Sequence, residues 1–141
     1  FEVQAKPGVK NFLQNLRKHH IPMVIATTGD RELLKTALKR LSLEPYFLEI
    51  LTCTEFHTSK KYPYIYEKAS DRLGTNPEQT FVFEDVLHAV ASAAKGGFVT
   101  VAVEDAASHA DAEKIRETAD YYMTDFLDFN HFWEFASKKH L

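Results

Sequence analysis

Short apolar runs alternate along this chain with longer stretches of helical periodicity, and that alternation constrains the fold more than any single residue does. Met23-Val24-Ile25-Ala26-Thr27, Phe47 to Cys53, Thr80 to Glu84 and Val99 to Val103 read as buried strands, with Tyr121-Tyr122-Met123 as a short edge strand. Pro7-Gly8 opens a helix with Val9, Phe12, Leu13 and Leu16 on one face, which stops near His19-His20-Ile21-Pro22. Asp30 is a good N-cap for a helix from Arg31 to Leu41, and Pro63 starts another that runs to Leu73 and ends at Gly74. Further helices are expected over Val86 to Lys95, closed by Gly96-Gly97, and over Ala110 to Thr118 and Phe126 to Ala136. Strands alternating with helices predict a parallel sheet covered on both faces, and continuous apolar strands fit burial on both sides. The expected fold is therefore α/β, doubly wound, in one domain over residues 1–141 without repeats or low-complexity segments.

Composition narrows the function. A chain of 141 residues is long enough to bury a real core. A net charge of −3, with Lys and Arg scattered, argues against a nucleic-acid surface. The single Cys53 gives no disulfide framework and fits a reducing compartment. No apolar run approaches membrane-spanning length and no signal peptide is visible, so the expectation is a soluble cytoplasmic protein without a membrane or nucleic-acid partner.

In a sheet of this kind ligands gather just past the carboxyl ends of the strands. Three of those ends carry suggestive groups. The first strand runs into Thr28-Gly29-Asp30, a hydroxyl and a backbone N–H at a helix N-terminus that together suit a phosphate, although a plain turn capped by Asp30 uses the same residues. Ser59-Lys60-Lys61-Tyr62-Pro63 puts two lysines just before a helix, where a cation opposes the helix dipole unless it faces an anion. Phe81-Val82-Phe83 ends abruptly in Glu84-Asp85: two neighbouring carboxylates repel, and a hard cation such as Mg²⁺ neutralises them. Asp85 can equally serve as an acidic cap for the helix that follows. A dinucleotide site is a poor fit, because no Gly-x-Gly-x-x-Gly follows a strand and Gly96-Gly97 ends a helix rather than opening one.

Taken in order, these junctions resemble the haloacid dehalogenase-like hydrolase superfamily, and within it the β-phosphoglucomutase and phosphoglycolate phosphatase group. Val24-Ile25-Ala26-Thr27-Thr28 matches that family's second motif, an apolar strand ending in Ser or Thr. Its third motif, of the type Lys-Pro-x-Pro-Asp-Ile-Tyr, is matched by Lys60 to Tyr66, and alignment on Pro63 and Ile65 selects Lys60 over Lys61. Its fourth motif, a strand ending in Glu-Asp or Asp-Asp, is matched by Phe81 to Asp85. The chain departs from the pattern in having Lys61 for the first Pro, Tyr64 for the Asp and Val86 for a common Ser, and His88 is given no role. The resemblance implies Thr28, Gly29 and Lys60 as phosphate-binding residues, Thr28 and Lys60 as catalytic, Asp85 aided by Glu84 as Mg²⁺ ligands, and a small phosphorylated metabolite as substrate.

The family's first motif, an Asp-x-Asp that supplies the nucleophile on a central strand, has no counterpart at a strand end here. Phe1 to Gly8 resembles the point where relatives re-enter the core after their helical cap. The expectation is thus the C-terminal core part of a longer hydrolase, missing the first central strand and the cap and inactive by itself. Removing a central strand leaves ladder bonds unmade on both flanks, so a strand from a partner chain, a swapped element, or direct closure of the flanking strands is expected to complete the sheet. The alternative is a non-catalytic module of the same fold.

Overall fold

A computed structural model describes residues 5–139; the Phe1–Gln4 part of the re-entry segment lies outside the described residues. In chain order the elements are α1 (Val9–Lys18), β1 (Ile25–Thr27), α2 (Arg31–Arg40), β2 (Ile50–Thr52), α3 (Tyr64–Leu73), β3 (Phe81–Glu84), α4 (Leu87–Lys95), β4 (Val99–Val103), α5 (Ala112–Thr118), β5 (Tyr121–Met123) and α6 (Phe129–Lys139). Every strand pair is parallel. The α/β, doubly wound reading is borne out.

The sheet comes in two pieces. β1 pairs with β2 in the register Ile25 to Ile50 and Thr27 to Thr52. β3, β4 and β5 form the second piece, with Phe81 opposite Val99, Glu84 opposite Ala102 and Val103 opposite Met123. β1 and β3 face one another without pairing, across a slot of about 580 Å³ walled by Met23 to Ala26 on one side and Thr80 to Glu84 on the other. Direct closure of the flanking strands is therefore not what the chain adopts. The two pieces still belong to one layer: Ile25, Phe81 and Phe83 point to one apolar cluster, while Val24, Ala26 and Val82 point to the other.

Those clusters set the two faces. Phe12, Leu13 and Leu16 of α1, Leu38 of α2 and Phe132 and Ala136 of α6 cover one face. Phe12 is its hub, 1% exposed, with its ring 5.1–5.9 Å from those of Phe83, Phe126, Phe129 and Phe132, mostly edge to face. Ile65, Tyr66 and Ala69 of α3 and Ala93 of α4 cover the other face, with Val90 and Ile115 joining α4 to α5.

Element boundaries shift where sequence signals compete with tertiary contacts. The first strand shrinks from Met23–Thr27 to Ile25–Thr27, since its register with β2 begins at Ile25 opposite Ile50, and ahead of it Met23 O still accepts from Leu48 N at 2.8 Å. The last helix starts at Phe129 instead of Phe126, because Asp128 caps it, its Oδ1 accepting from His131 N at 3.1 Å, while the Phe126 N–H donates to Pro7 O at 3.1 Å. Gly8, at φ +82°, makes that approach feasible: a Cβ there would sit 2.7 Å from the backbone of Phe126. Among the described residues no helix is long and apolar enough to cross a membrane.

Candidate functional site

The carboxyl ends of β1, β2 and β3 carry the groups singled out in the sequence. Past β1, Thr28, Gly29 and Asp30 are all exposed. Asp30 caps α2, its Oδ1 accepting from Leu33 N at 3.0 Å. The Gly29 N–H, expected to be free for a phosphate, is engaged: it donates to Thr27 Oγ1 at 3.0 Å, because the tight turn leaves that hydroxyl two residues away. The loop is further fastened by Arg31, which donates to Ile50 O of β2 at 3.0 Å and pairs with the Glu55 carboxylate. Arg31 and the Thr52 N–H, which donates to Glu55 Oε1 at 2.9 Å, hold the Glu55 carboxyl below its usual range.

Beyond β2 the chain turns through Cys53 to Lys60, and Lys60 points inward. Its Nζ lies 2.5 Å from Glu84 Oε2, with only 15% and 9% of the two side chains exposed. Lys61, its neighbour, is exposed. Cys53 is buried nearby, its thiol pushed up by burial and by Glu84 against the opposing pull of Lys60. A third group completes the pair. Tyr66, on the first turn of α3, donates its hydroxyl to the same Glu84 Oε2 at 2.7 Å. Burial, then the charge of Glu84, pushes the phenol far above its ordinary range, so it stays a neutral donor.

Asp85 behaves differently from its neighbour. The helix-cap reading fails, since Val86 is the N-cap of α4 and no side chain caps that turn. Instead Asp85 is partly buried at the rim of a small cavity of about 280 Å³ with Glu104, Asp105, Ser108 and His109. Its carboxyl is pushed up, first by burial and then by the charges of Asp105 and Glu84, with Lys6 opposing. Lys6 reaches this rim to donate to Glu104 O and Asp105 Oδ1, both at 3.2 Å.

The geometry thus joins Lys60 to Glu84, while no hydrogen bond or ion pair among the described residues links Lys60 to Asp85 or to Thr28. It also fixes what a metal would find. Among the described residues no group of three or more His, Cys, Asp or Glu is arranged to hold an ion. One destabilised carboxylate of hard oxygen character beside a second is nonetheless the donor set that suits Mg²⁺, which keeps several waters and takes one or two protein carboxylates. Sequence reasoning passed over Tyr66 and Lys6. Tyr66 stood within the matched third motif, and a Tyr on the buried face of a helix, needing a partner for its hydroxyl, was the available signal. For Lys6 the sequence held no such signal.

Comparison with known proteins gives the family and the fold. A family profile described as haloacid dehalogenase-like hydrolase matches residues 1–103. The chain is 34% identical over 96 residues to a phosphorylated carbohydrates phosphatase of Thermotoga maritima, an alignment covering 67% of this chain and 44% of that protein. It is 30% identical over 102 residues to an (S)-2-haloacid dehalogenase 4A of Burkholderia cepacia, covering 72% of this chain and 44% of that one. In structure it superposes on a β-phosphoglucomutase of Clostridium difficile with a TM-score of 0.75, at 16% identity, over 94% of this chain and 56% of that one. The chain spans less than half the length of those two curated relatives.

Proposed function

The chain belongs to the haloacid dehalogenase-like hydrolase family, and on that premise we propose that it carries the phosphate-binding and metal-binding side of a phosphatase or phosphomutase. The observation that carries this is the buried Lys60–Glu84 pair set directly beside Asp85. A cation held inside the fold at the carboxyl end of the strands is a ready partner for a phosphoryl group, and its charge is worth more there than in water. Thr28, exposed at the start of α2, supplies a hydroxyl to the same anion. The Gly29 N–H joins it by exchanging Thr27 Oγ1 for a phosphoryl oxygen.

Asp85, aided by Glu84, would hold Mg²⁺. The ion, when bound, neutralises the negative charge of the phosphoryl group. Bound there, it also relieves the repulsion that Asp85 meets from Asp105 and Glu84. In the whole protein an Asp carboxylate would attack the phosphorus of the ester, its P–O bond breaking to release the alcohol, the covalent route open to carboxylates. Water would then hydrolyse the aspartyl-phosphate to free carboxylate and inorganic phosphate. A small phosphorylated metabolite is the substrate class that one buried lysine and one hydroxyl suit. The protein works in the cytoplasm, consistent with a single reduced Cys53.

We read the slot between β1 and β3 as the seat of one more strand: in the whole protein the strand that carries the nucleophile, and in these residues alone a segment of a partner chain or a swapped element. The support is geometric: two parallel strands face each other unpaired, and Glu84 and Tyr66 line the same slot. The described residues alone are then inactive. The test is the intact protein with a generic phosphate ester such as p-nitrophenyl phosphate. Turnover should depend on Mg²⁺ and vanish in Asp85→Ala, and near-normal activity in that variant refutes the assignment.

A further inference from the structure

Glu84 is held by two donors on one oxygen and by none on the other. Lys60 Nζ and Tyr66 Oη both meet Oε2, at 2.5 and 2.7 Å, and among the described residues Oε1 takes no hydrogen bond. The hydroxyl of Tyr66 is not needed for packing. The ring is 3% exposed among Ile65, Ala69 and Phe98, and a Phe fills the same space. Ile65 and Ala69 anchor the α3 backbone in that cluster, so the phenol reaches Glu84 from a rigid base. A carboxylate fixed at one oxygen by two donors from different elements cannot rotate about its terminal bond without breaking both contacts.

We propose that Tyr66 is a positioning residue for the divalent-cation site: with Lys60 it locks Oε2 of Glu84 and so leaves Oε1 for the ion that Asp85 ligates. The inference rests on the reading of Glu84-Asp85 as the metal-binding pair. It assigns Tyr66 no contact with substrate. Partners of this kind hold a ligand carboxylate in its working orientation before the ion arrives, and their loss is felt in metal affinity. Lys60 alone keeps the charge compensated in Tyr66→Phe, so the loss is one of orientation rather than of folding.

The experiment measures Mg²⁺ binding to the intact protein by titration calorimetry in the unmodified form, in Tyr66→Phe and in Asp85→Asn. The expected result is a Mg²⁺ Kd raised about tenfold in Tyr66→Phe, with lost turnover recovered at high Mg²⁺ and the KM for p-nitrophenyl phosphate changed by less than about twofold. A folded Tyr66→Phe that binds Mg²⁺ as tightly as the unmodified protein overturns the proposal while leaving the metal reading intact. Unchanged Mg²⁺ binding in Asp85→Asn overturns the metal reading, and this proposal falls with it. Should Tyr66→Phe not fold, the hydroxyl proton of Tyr66 in the unmodified protein gives a second readout by NMR. It should be protected from exchange and should shift on addition of Mg²⁺; a resonance unmoved at saturating Mg²⁺ overturns the proposal as well.

Discussion

Lys60 Nζ lies 2.5 Å from Glu84 Oε2, and the two side chains come from opposite walls of the site, one from the loop after β2 and one from the end of β3. Taking away one member of a largely buried ion pair strands the other. Lys60→Met should therefore destabilise the fold by about 3 kcal/mol, the low end for such pairs because Tyr66 still donates to Glu84. The double variant Lys60→Met/Glu84→Gln should recover much of that loss. Urea unfolding of the three proteins measures both numbers, and equal stability of all three would mean the pair contributes nothing.

Asp85 gives a pH dependence of known sign. Its carboxyl is pushed up by burial, Asp105 and Glu84, so the folded state holds the proton more tightly than the unfolded chain does. The stability it contributes is complete below the unfolded carboxyl range and is lost as pH rises through the raised folded value. Asp85→Asn should then stabilise the fold at neutral pH by at most ~1 kcal/mol after solvent screening, seen as a higher thermal midpoint, and flatten this part of the pH profile. A variant less stable than the unmodified protein at pH 7 would contradict the assigned cause.

Two glycines with positive φ should respond differently to the same substitution. At Gly8 an added Cβ meets the backbone of Phe126 at 2.7 Å in a left-handed conformation, and Gly8→Ala should cost about 3 kcal/mol. At Gly74, φ +71°, nothing lies within 4 Å, so Gly74→Ala should carry only the left-handed strain of about 1 kcal/mol. Denaturant midpoints compare them directly, and a larger loss at Gly74 would contradict the close approach at Gly8.

Phe12 is expected to be the most sensitive core position. Phe12→Ala empties the centre of a five-ring cluster and should cost ~3–5 kcal/mol. Thermal unfolding, with near-ultraviolet circular dichroism for the aromatic packing, reads the loss. A cost below about 1 kcal/mol would mean the helices of that face repack freely.

Much of this was legible before any coordinates. The strand and helix order followed from periodicity, because buried parallel strands must be apolar throughout and their crossover helices must be amphipathic. Lys60 was distinguishable from Lys61 by its offset from Pro63 and Ile65. Less could be read where a residue's role depends on a partner far away in sequence. That Gly29 donates to Thr27, that Glu84 turns toward Lys60 and Tyr66 while Asp85 does not, and that Lys6 crosses to Asp105 are outcomes of packing. Periodicity has no access to contacts made across 98 or 99 residues, as those of Lys6 are.

The space between β1 and β3 also governs how the molecule answers to pressure. Its lining is largely apolar, from Phe12, Leu13 and Leu16 through Val24 and Ile25 to Phe81, Val82 and Phe83. Water that enters finds few hydrogen-bond partners, so the volume is poorly filled in the folded chain and fully hydrated once it unfolds. Unfolding of these 141 residues should therefore shrink the system, and hydrostatic compression should lower their stability.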